Sequence, residues 1–330
     1  MQMRKIGDRL VPMIGMGCMN LSHAYGTPPR PEEGKRVLQR ALDLGITHFD
    51  SAALYGGGRN EELVGPYLQS VREQIFLVSK GVLFFREGQR YLDGHPDQIR
   101  RSCEESLSRL QTEAIDLYYL HRLDPQIPIE ESVGAVSDLI GEGKVRALGL
   151  SEMSASTIRR AHAEHPVSAV QSEYSLWSRN VEIAVLKACR EIGAAFVAFS
   201  PLARGFLADM QLNPDNFSEK DIRRGMPRFQ DPYFSLNQQN LLRQYQALAI
   251  EAGCTPAQLA ISWLLQQGNN IHVIPGTTSV AHLEENWAAG DVTLPVDVSE
   301  KVENLINQST VSGARYAPDV QKQIDTEEYL

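Results

Sequence analysis

Three consecutive apolar runs of this chain each end at a polar side chain, and this pattern constrains the fold more than any other feature. The runs end at Asp50, Lys80 and His121, and a loop with Gly or Pro follows each of them. Short apolar runs are typical of buried parallel strands. Because α/β proteins build their sites at the carboxyl ends of such strands, we expect the three side chains to meet on one rim. Packing alone does not require these residue types, so the pattern indicates an enzyme.

Strand-like runs alternate with helical periodicity along the whole chain. Eight runs predict strands, at residues 14–19, 46–50, 75–80, 115–121, 145–151, 169–174, 195–200 and 272–276. Helical periodicity between them is clearest at residues 37–42 before Gly45, 96–110, 154–163, 181–192 and 241–265. Eight βα units without a change in composition predict one closed (β/α)8 barrel, a TIM barrel, over residues 1–330.

Two further features are expected outside the repeated units. A Gly-Asp pair between two short extended runs predicts an N-terminal β-hairpin at residues 4–11. After the seventh strand, residues 203–240 show little periodicity, which is typical of a lid or a binding loop. The alternative fold, an open doubly wound sheet, requires a glycine-rich phosphate loop after an early strand. Gly15 and Gly17 lack the third glycine at the required offset.

Composition narrows the class of protein. The 330 residues are 42% hydrophobic with a net charge of −9, which argues against nucleic acid as a partner. Four scattered cysteines lack paired or metal-type spacing, so we expect reduced thiols and no metal. No apolar run reaches membrane-spanning length and no apolar leader precedes the hairpin, so we expect a cytoplasmic protein without a membrane partner. The sequence contains no decisive interface for an oligomer.

Several motifs in this order resemble one known family. They are Phe49-Asp50-Ser51-Ala52 with Tyr55, Val78-Ser79-Lys80, Leu120-His121, Gly149-Leu150-Ser151, Phe199-Ser200-Pro201-Leu202 and Ile274-Pro275-Gly276-Thr277. Together they resemble the aldo-keto reductases, most of all the microbial members with a short C-terminal tail. The resemblance covers nearly the whole chain. It implies a carbonyl reductase or alcohol dehydrogenase that moves hydride from NADPH to a small-to-medium aldehyde or ketone.

The chemistry of carbonyl reduction gives each of four residues a role. Reduction leaves an alkoxide, so a proton donor must lie over the oxygen while hydride arrives at carbon. Tyr55 is the expected general acid and base, and a close Lys80 ammonium would lower its pKa from about 10. Asp50 would keep Lys80 charged and in place. A neutral His121 would donate a hydrogen bond to the carbonyl oxygen.

The resemblance implies that the later part of the rim binds the dinucleotide. Ser151 and Gln171 would hold the nicotinamide carboxamide, and Glu152, where the family usually has Asn, would accept from its amide group. Phe199 would stack on the nicotinamide ring, with Tyr174 as the alternative.

The remaining parts of the dinucleotide would lie further around the rim. Ser200, Leu202, Arg204 and Gly205 would line the pyrophosphate, and Glu285 and Asn286 would contact the adenine. Residues 203–240 would fold over the pyrophosphate as a clamp, with Arg223, Arg224 and Arg228 as candidates to close on it.

The region expected to bind the 2′-phosphate differs in sequence from the corresponding region of many family members. Where many relatives have Lys or Arg, this chain has Gly276, Thr277 and Thr278, followed by His282. Hydroxyls and backbone N–H groups at a helix start bind phosphate, and His282 adds charge at lower pH. An arginine for a bidentate contact is missing, so we expect a weak preference for NADPH, with NADH as the alternative cofactor.

The expected substrate pocket is mostly apolar with a few polar groups, which suits a small-to-medium carbonyl compound. Its residues are Met19, Asn20, Tyr25, Leu54, Phe84, Phe85 and Arg122. The sequence does not distinguish a sugar-derived, an aromatic or a terpenoid-like carbonyl.

Other interpretations fit parts of the pattern. An aldolase-type barrel would use Lys80 as a Schiff-base nucleophile, but attack requires a neutral amine and Asp50 would keep it charged. A regulatory subunit would keep the cofactor site and act through a partner protein, although the chain has no long N-terminal extension for that purpose. A structural ion pair between Asp50 and Lys80 is the remaining alternative.

Overall fold

Eight parallel strands form a single sheet, and neighbours in the sheet follow the order of the barrel along the chain. The first and the last of these strands also meet. Gly15 N donates to Val273 O at 2.8 Å. Gly17 N donates to Pro275 O at 3.2 Å. The sheet therefore closes on itself, and with helices around it the fold is the predicted (β/α)8 barrel.

The structure, a computed structural model, describes residues 1–86, 89–208 and 211–329. Within these residues the strands are β1 (Met3–Ile6), β2 (Arg9–Pro12), β3 (Met16–Gly17), β4 (His48–Asp50), β5 (Phe76–Gly81), β6 (Leu83–Arg86), β7 (Gln89–Leu92), β8 (Leu117–Leu120), β9 (Leu148–Ser151), β10 (Val167–Glu173), β11 (Ala195–Phe199) and β12 (Ile271–Val273). The barrel consists of β3 to β5 and β8 to β12. β6 and β7 form an antiparallel hairpin that the sequence did not predict.

The helices begin and end at the signals that the sequence carries. They are α1 (Pro31–Leu44), α2 (Arg59–Leu68), α3 (Pro96–Leu110), α4 (Ile129–Gly141), α5 (Ala155–Glu164), α6 (Val185–Ile192), α7 (Tyr233–Asn237), α8 (Arg243–Glu251), α9 (Pro256–Gln266), α10 (Val280–Ala288), α11 (Val296–Leu305) and α12 (Pro318–Gln321). Gly45 ends α1 with a φ of 88°. Ser154 caps α5 by accepting from Thr157 N at 3.3 Å. The helix predicted over 181–192 begins only at α6, after a 3-10 turn at Asn180–Glu182.

The connection after β11 is partly helical, which the sequence did not predict. α7 begins at Tyr233, and a π-helical stretch, Gln238–Leu242, joins it to α8. Phe234, Leu241 and Leu242 are buried here. The run of polar residues between these apolar side chains hides the helical period, so the periodicity is visible only from residue 241 onward.

The N-terminal hairpin covers the end of the barrel where the strands begin. β1 and β2 pair with Ile6 opposite Arg9, so Gly7 and Asp8 form the predicted two-residue turn. Ile6 and Val11 lie in a buried apolar cluster with side chains from the first residues of several barrel strands. The opposite end, where the strands finish, is therefore left for the functional rim.

Two buried histidines lie beside this covered end. His48, on β4, and His272, on β12, have ring centroids 6.4 Å apart. His272 Nδ1 lies 3.2 Å from Pro12 O, whereas neither ring nitrogen of His48 has a hydrogen-bond partner among the described residues. Burial lowers the pKa of both imidazoles to about 3, so both are neutral at physiological pH.

Within the described residues, no single helix is long and apolar enough to cross a membrane. The helical stretches Tyr233–Glu251 and Pro256–Gln266 are long and apolar enough only when they are taken together. The chain bends by 78° at the break between them.

Candidate active site

Four side chains meet on the rim where the barrel strands end. Asp50 is the last residue of β4, Lys80 lies near the end of β5, and His121 follows β8 directly. Tyr55 begins a 3-10 turn after β4. The turn continues through glycines with positive φ, and at Gly58, with a φ of 92°, an added Cβ would meet Arg109 Cδ at 2.8 Å. A glycine is therefore required to fold this turn tightly onto the rim.

Lys80 is the centre of a buried hydrogen-bonded group. Its ammonium is paired with Asp50 Oδ1, and it donates to Ser51 O at 2.8 Å and to Tyr55 Oη at 3.4 Å. The second carboxylate oxygen of Asp50 accepts from Gln171 Nε2 at 2.8 Å. Both charged side chains are almost completely buried. Each polar atom of the ion pair thus has a partner, which fixes the position of the phenol above it.

The charges in this group set its protonation states. Burial lowers the pKa of Lys80, but the Asp50 carboxylate and the Tyr55 oxygen outweigh this effect, and the pKa is raised. Lys80 is therefore an ammonium at neutral pH. Burial raises the pKa of Tyr55, and the positive charge of Lys80 offsets only part of that rise. The phenol therefore carries its proton at neutral pH, as a proton donor must.

His121 lies across the phenol ring from this group. The two rings are perpendicular, with centroids 6.0 Å apart. Burial, followed by the charges of Arg122 and Lys80, lowers the pKa of His121 far below its usual value. His121 is therefore neutral, and its Nδ1 has no hydrogen-bond partner in the described part of the chain. A neutral imidazole can donate one N–H to an oxygen placed next to Tyr55.

A cavity of about 890 Å³ opens above these four residues. Most of the residues predicted for cofactor or substrate line it. These are Ser151, Gln171, Phe199, Ser200, Leu202, Arg204, Gly205, Gly276, Thr277, Thr278, His282, Glu285 and Asn286 for the cofactor, and Met19, Asn20, Tyr25, Leu54 and Arg122 for the substrate. Asp50, Tyr55 and His121 also line the cavity, whereas Lys80 lies behind Tyr55.

Glu152 does not lie among the cavity residues, contrary to the sequence-based expectation. Its carboxylate is paired with Arg315 and accepts from Thr326 Oγ1 at 3.1 Å and from Glu173 N at 2.9 Å. Glu152 has a positive φ of 55°. Its carboxylate contacts the C-terminal segment, residues 307–329, instead of the cavity. The position where the family usually has Asn thus forms a structural ion pair here.

Phe84 and Phe85 are also absent from the cavity lining. Phe84 packs against Tyr91 across the β6–β7 hairpin, with ring centroids 5.4 Å apart, and Phe85 is 58% exposed. Leu83 and Arg90 of the same hairpin line the cavity instead. The sequence identified the right segment but not its side chains, because the hairpin itself was not predicted.

Arg204 is held by partners on the rim rather than being free. Its Nη2 donates to Glu173 Oε2 at 2.8 Å and to Tyr316 Oη at 2.7 Å. The guanidinium carbon lies 6.0 Å from the ring centre of Phe199. Arg315 also approaches Glu173, at 3.3 Å. The carboxylate and the C-terminal segment therefore orient the cation expected at the pyrophosphate.

The segment 203–240 packs against the first loop of the barrel. Ile222 N donates to Ala24 O at 2.9 Å, and Arg223, paired with Asp221 at 2.7 Å, lines the cavity. Arg224 and Arg228 do not line it, because they donate to the backbone carbonyls of Phe217 and Trp177.

An aromatic cluster anchors this segment beneath its surface. Trp177 stacks on Phe206 at 4.0 Å between centroids and meets Phe229 edge-on at 5.5 Å. Phe206 and Phe229 are both buried. The segment is therefore tied to the barrel at two points far apart in sequence.

Some cavity residues were missed by the sequence analysis. His23 comes from the loop after β3, and Arg90 comes from β7. Four more residues come from the C-terminal segment: Tyr316, Ala317, Val320 and Gln323. The ring of His23 stacks on Tyr55, with ring centroids 6.2 Å apart. The C-terminal residues follow the last βα unit, and no pattern in the sequence directs that segment back to the rim. Among the residues described, no group of three or more His, Cys, Asp or Glu converges to hold a metal ion.

Comparison with known proteins places the chain among oxidoreductase enzymes. The model of the Aldo/keto reductase family matches residues 13–307, and the chain belongs to this family. It is 44% identical over 325 residues to a Schizosaccharomyces pombe protein named aldo-keto reductase yakc, a name that specifies NADP(+), covering 96% of this chain and 94% of that one. It is 41% identical over 308 residues to the probable aldo-keto reductase 1 of Glycine max, covering 93% and 88% of the two chains.

Solved structures share the architecture. A glycerol dehydrogenase from Gluconobacter oxydans is similar with a TM-score of 0.85 and 27% identity, over 96% of this chain and 98% of that chain. An aldo-keto reductase from Klebsiella pneumoniae in complex with NADPH is similar with a TM-score of 0.73 and 25% identity, over 96% and 99%.

Proposed function

We propose that the protein reduces the carbonyl group of a small-to-medium aldehyde or ketone with NADPH, and oxidises the alcohol in reverse. The observation that carries this proposal is the position of Tyr55, which lines the cavity with the Lys80 ammonium on one side, 3.4 Å from its Oη, and the His121 ring on the other. A proton donor and a hydrogen-bond donor flanking one position are what a developing alkoxide requires.

Each residue of the group has a distinct task in this reaction. Bound reduced nicotinamide supplies hydride to the carbonyl carbon. The neutral His121 orients the carbonyl oxygen by a hydrogen bond. Tyr55 gives its phenolic proton to that oxygen, and the Lys80 ammonium stabilises the phenolate that remains. Asp50, held by Gln171, keeps Lys80 charged and in place.

The proposed cofactor is NADP(H), which occurs in the name of the yeast relative and in the bound state of the Klebsiella structure. Ser151, Gln171 and Phe199 would contact the nicotinamide. The rim from Ser200 to Gly205 would hold the pyrophosphate, with 203–240 as the clamp. Thr277, Thr278 and His282 would receive the 2′-phosphate, and Glu285 and Asn286 the adenine, because all of them line the same cavity.

The Schiff-base alternative is disfavoured by the surroundings of Lys80. Its ammonium faces three acceptors, and its pKa is raised, so the neutral amine needed for attack on a carbonyl is scarce. Borohydride added with a carbonyl compound should leave Lys80 unlabelled, as detected by peptide mass spectrometry. Covalent labelling at Lys80 would favour the aldolase-type function over the reductase.

The direct test is the variant Tyr55→Phe, which removes the proton donor and keeps the ring. We expect NADPH oxidation with an aldehyde to fall by about a hundredfold to ten-thousandfold, since general acid catalysis contributes on the order of 10²–10⁴. The Kd for NADPH, from isothermal titration calorimetry, should stay within about twofold. Tyr67→Phe on α2 is the matched control, because Tyr67 contacts Gln39 and does not line the cavity. Retained turnover in Tyr55→Phe would eliminate Tyr55 as the donor.

A further inference from the structure

Two arginines, Arg90 and Arg122, line the same cavity as Tyr55. Arg90 comes from β7, the second strand of the hairpin that follows β5, and it is exposed at the cavity. Arg122 follows His121 and is half-buried. Neither belongs to the four-residue catalytic group, and Arg90 has no role in the function proposed above.

Within the described residues, neither guanidinium is paired with a carboxylate. Arg122 Nη1 donates to two neutral oxygens, His121 O at 2.6 Å and Ser151 Oγ at 3.2 Å. Arg90 has no hydrogen bond or ion pair within the described part of the chain. The carboxylates that line the cavity in the described residues are Asp50, already committed to Lys80, and Glu285 on α10. These two cations therefore lack a counter-ion of their own.

The other cations around the cavity differ from Arg90 and Arg122, because each is paired with a carboxylate. Arg204 is paired with Glu173 at 2.8 Å, and Arg223 is paired with Asp221 at 2.7 Å. Lys80 is paired with Asp50. The chain thus balances the charge of the residues near the dinucleotide rim and of the catalytic lysine. Among the described arginines that line the cavity, Arg90 and Arg122 are the two without a carboxylate partner, so an anionic ligand would be stabilised next to them.

The charges of Arg90 and Arg122 act on the two histidines next to Tyr55. His23 stacks on Tyr55, and its pKa is lowered by burial and then by Arg90. The pKa of His121 is lowered by burial first, and next by Arg122. Burial and the charge of Arg122 also lower the pKa of Arg90. The two guanidiniums therefore repel each other, and an anion bound by both would relieve that repulsion.

We propose that the substrate is an aldehyde or ketone that also carries a carboxylate or a phosphate, which Arg90 and Arg122 bind while the carbonyl lies at Tyr55. This inference rests on the proposed reductase function. The sequence predicted a mostly apolar substrate pocket. The pocket inferred here instead binds the anionic group of the substrate at one end. Arg90 is the specificity-determining residue, because within the described residues it makes no hydrogen bond or ion pair that its removal would disturb.

The test uses pairs of substrates that differ in charge and little in size. One pair is 4-carboxybenzaldehyde and its methyl ester. The other is 4-formylphenyl phosphate and 4-formylphenyl methanesulfonate, which is neutral and of similar size. We expect the wild-type kcat/KM, measured by NADPH oxidation, to be at least about tenfold higher for the charged member of a pair, since a hydrogen bond to a charged group contributes about that factor. A preference in one pair alone identifies the anion as carboxylate or as phosphate.

The variant Arg90→Gln should remove this preference. Its kcat/KM for the charged aldehyde should fall about tenfold or more through KM, while kcat/KM for the neutral aldehyde and the Kd for NADPH stay within about twofold. Arg90→Lys should recover part of the loss, because the charge returns without the bidentate geometry. Arg36→Gln on α1, an exposed arginine outside the cavity, is the matched control and should change none of these values.

Three results would overturn the inference. The wild type could treat both members of each pair alike, Arg90→Gln could lower activity on all four aldehydes equally, or it could weaken NADPH binding instead of substrate binding. Tyr55-dependent turnover of the neutral aldehydes in any of these cases would leave the proposed reductase function intact. Failure to oxidise NADPH with any of the four aldehydes would count against both.

Discussion

At the scale of single residues, the site depends on how Lys80 uses its three N–H groups. One is paired with Asp50, one is directed at Ser51 O and one faces the phenol oxygen of Tyr55. The two stronger contacts hold the ammonium in place, and the contact to Tyr55, at 3.4 Å, is the longest. A contact of that length shortens easily when the phenol becomes a phenolate, so the stabilisation is greatest after proton transfer.

His282 carries a prediction about cofactor choice at the same scale. It lies in the first turn of α10, where its backbone N donates to Ser279 Oγ at 3.4 Å, and it lines the cavity. His282→Arg should tighten NADPH by about tenfold, because arginine adds a bidentate contact to the 2′-phosphate. Calorimetric titration measures the Kd for NADPH and for NADH, and NADH serves as the internal control. Equal changes for both cofactors would mean that the 2′-phosphate binds elsewhere.

At the scale of elements, the neutral histidines beside the N-terminal hairpin make the free energy of unfolding depend on pH. The folded pKa of His48 is about 3, below the value of about 6.5 in an unfolded chain, so the unfolded state binds the proton first. The contribution of neutral His48 to the free energy of unfolding is fully present above about pH 6.5, and it is lost as the pH falls towards 3. The slope approaches about 1.4 kcal/mol per pH unit for each such histidine.

The variant His48→Leu should flatten that slope. The free energy of unfolding, from urea denaturation between pH 4 and pH 7, should depend less on pH by nearly the contribution of one histidine. The replacement leaves no hydrogen bond broken, because the ring nitrogens of His48 have no partner among the described residues. His95→Asn, at the exposed cap of α3, is the control and should keep the wild-type slope. If the free energy of unfolding of His48→Leu depends on pH as steeply as that of the wild type, this imidazole does not determine how stability falls with pH.

At the scale of the whole molecule, the C-terminal segment joins the barrel through buried charges. Arg315 pairs with Glu152 and approaches Glu173, and both partners are buried. Arg315→Met would leave the Glu152 carboxylate without its cation. We expect the free energy of unfolding in urea to fall by about 3 kcal/mol, as when one partner of a buried pair is removed. Adding Glu152→Gln should recover part of this loss.

A surface pair gives the matched comparison for this prediction. Arg160 and Glu130 form an ion pair at 2.8 Å with both side chains largely in solvent. Arg160→Met should cost less than about 1 kcal/mol. Equal losses for Arg315→Met and Arg160→Met would mean that the buried network does not hold the segment to the barrel.

The sequence predicted the repeated βα units and the N-terminal hairpin, and it missed the β6–β7 hairpin and the contacts of the C-terminal segment with the rim. Apolar runs and helix signals locate all eight barrel strands, and Asp50, Lys80 and His121 meet on the rim because parallel strands share their carboxyl end. The positions of Glu152 and Arg90 depend on contacts with Arg315 and on a hairpin at 83–92. Long-range pairings of this kind leave no local period in the sequence, so they become visible only in three dimensions.

The stacking of Trp177 on Phe206 has a practical consequence for spectroscopy. The chain has 3 tryptophans, and Trp177 touches the segment proposed to close over the cofactor. Its indole is 4% exposed, and the Arg228 guanidinium lies 5.2 Å from its ring centre. Any movement of the segment changes the stacking and the charge next to this ring. The Trp177 contribution to the intrinsic fluorescence should therefore report on movement of this segment without an attached dye.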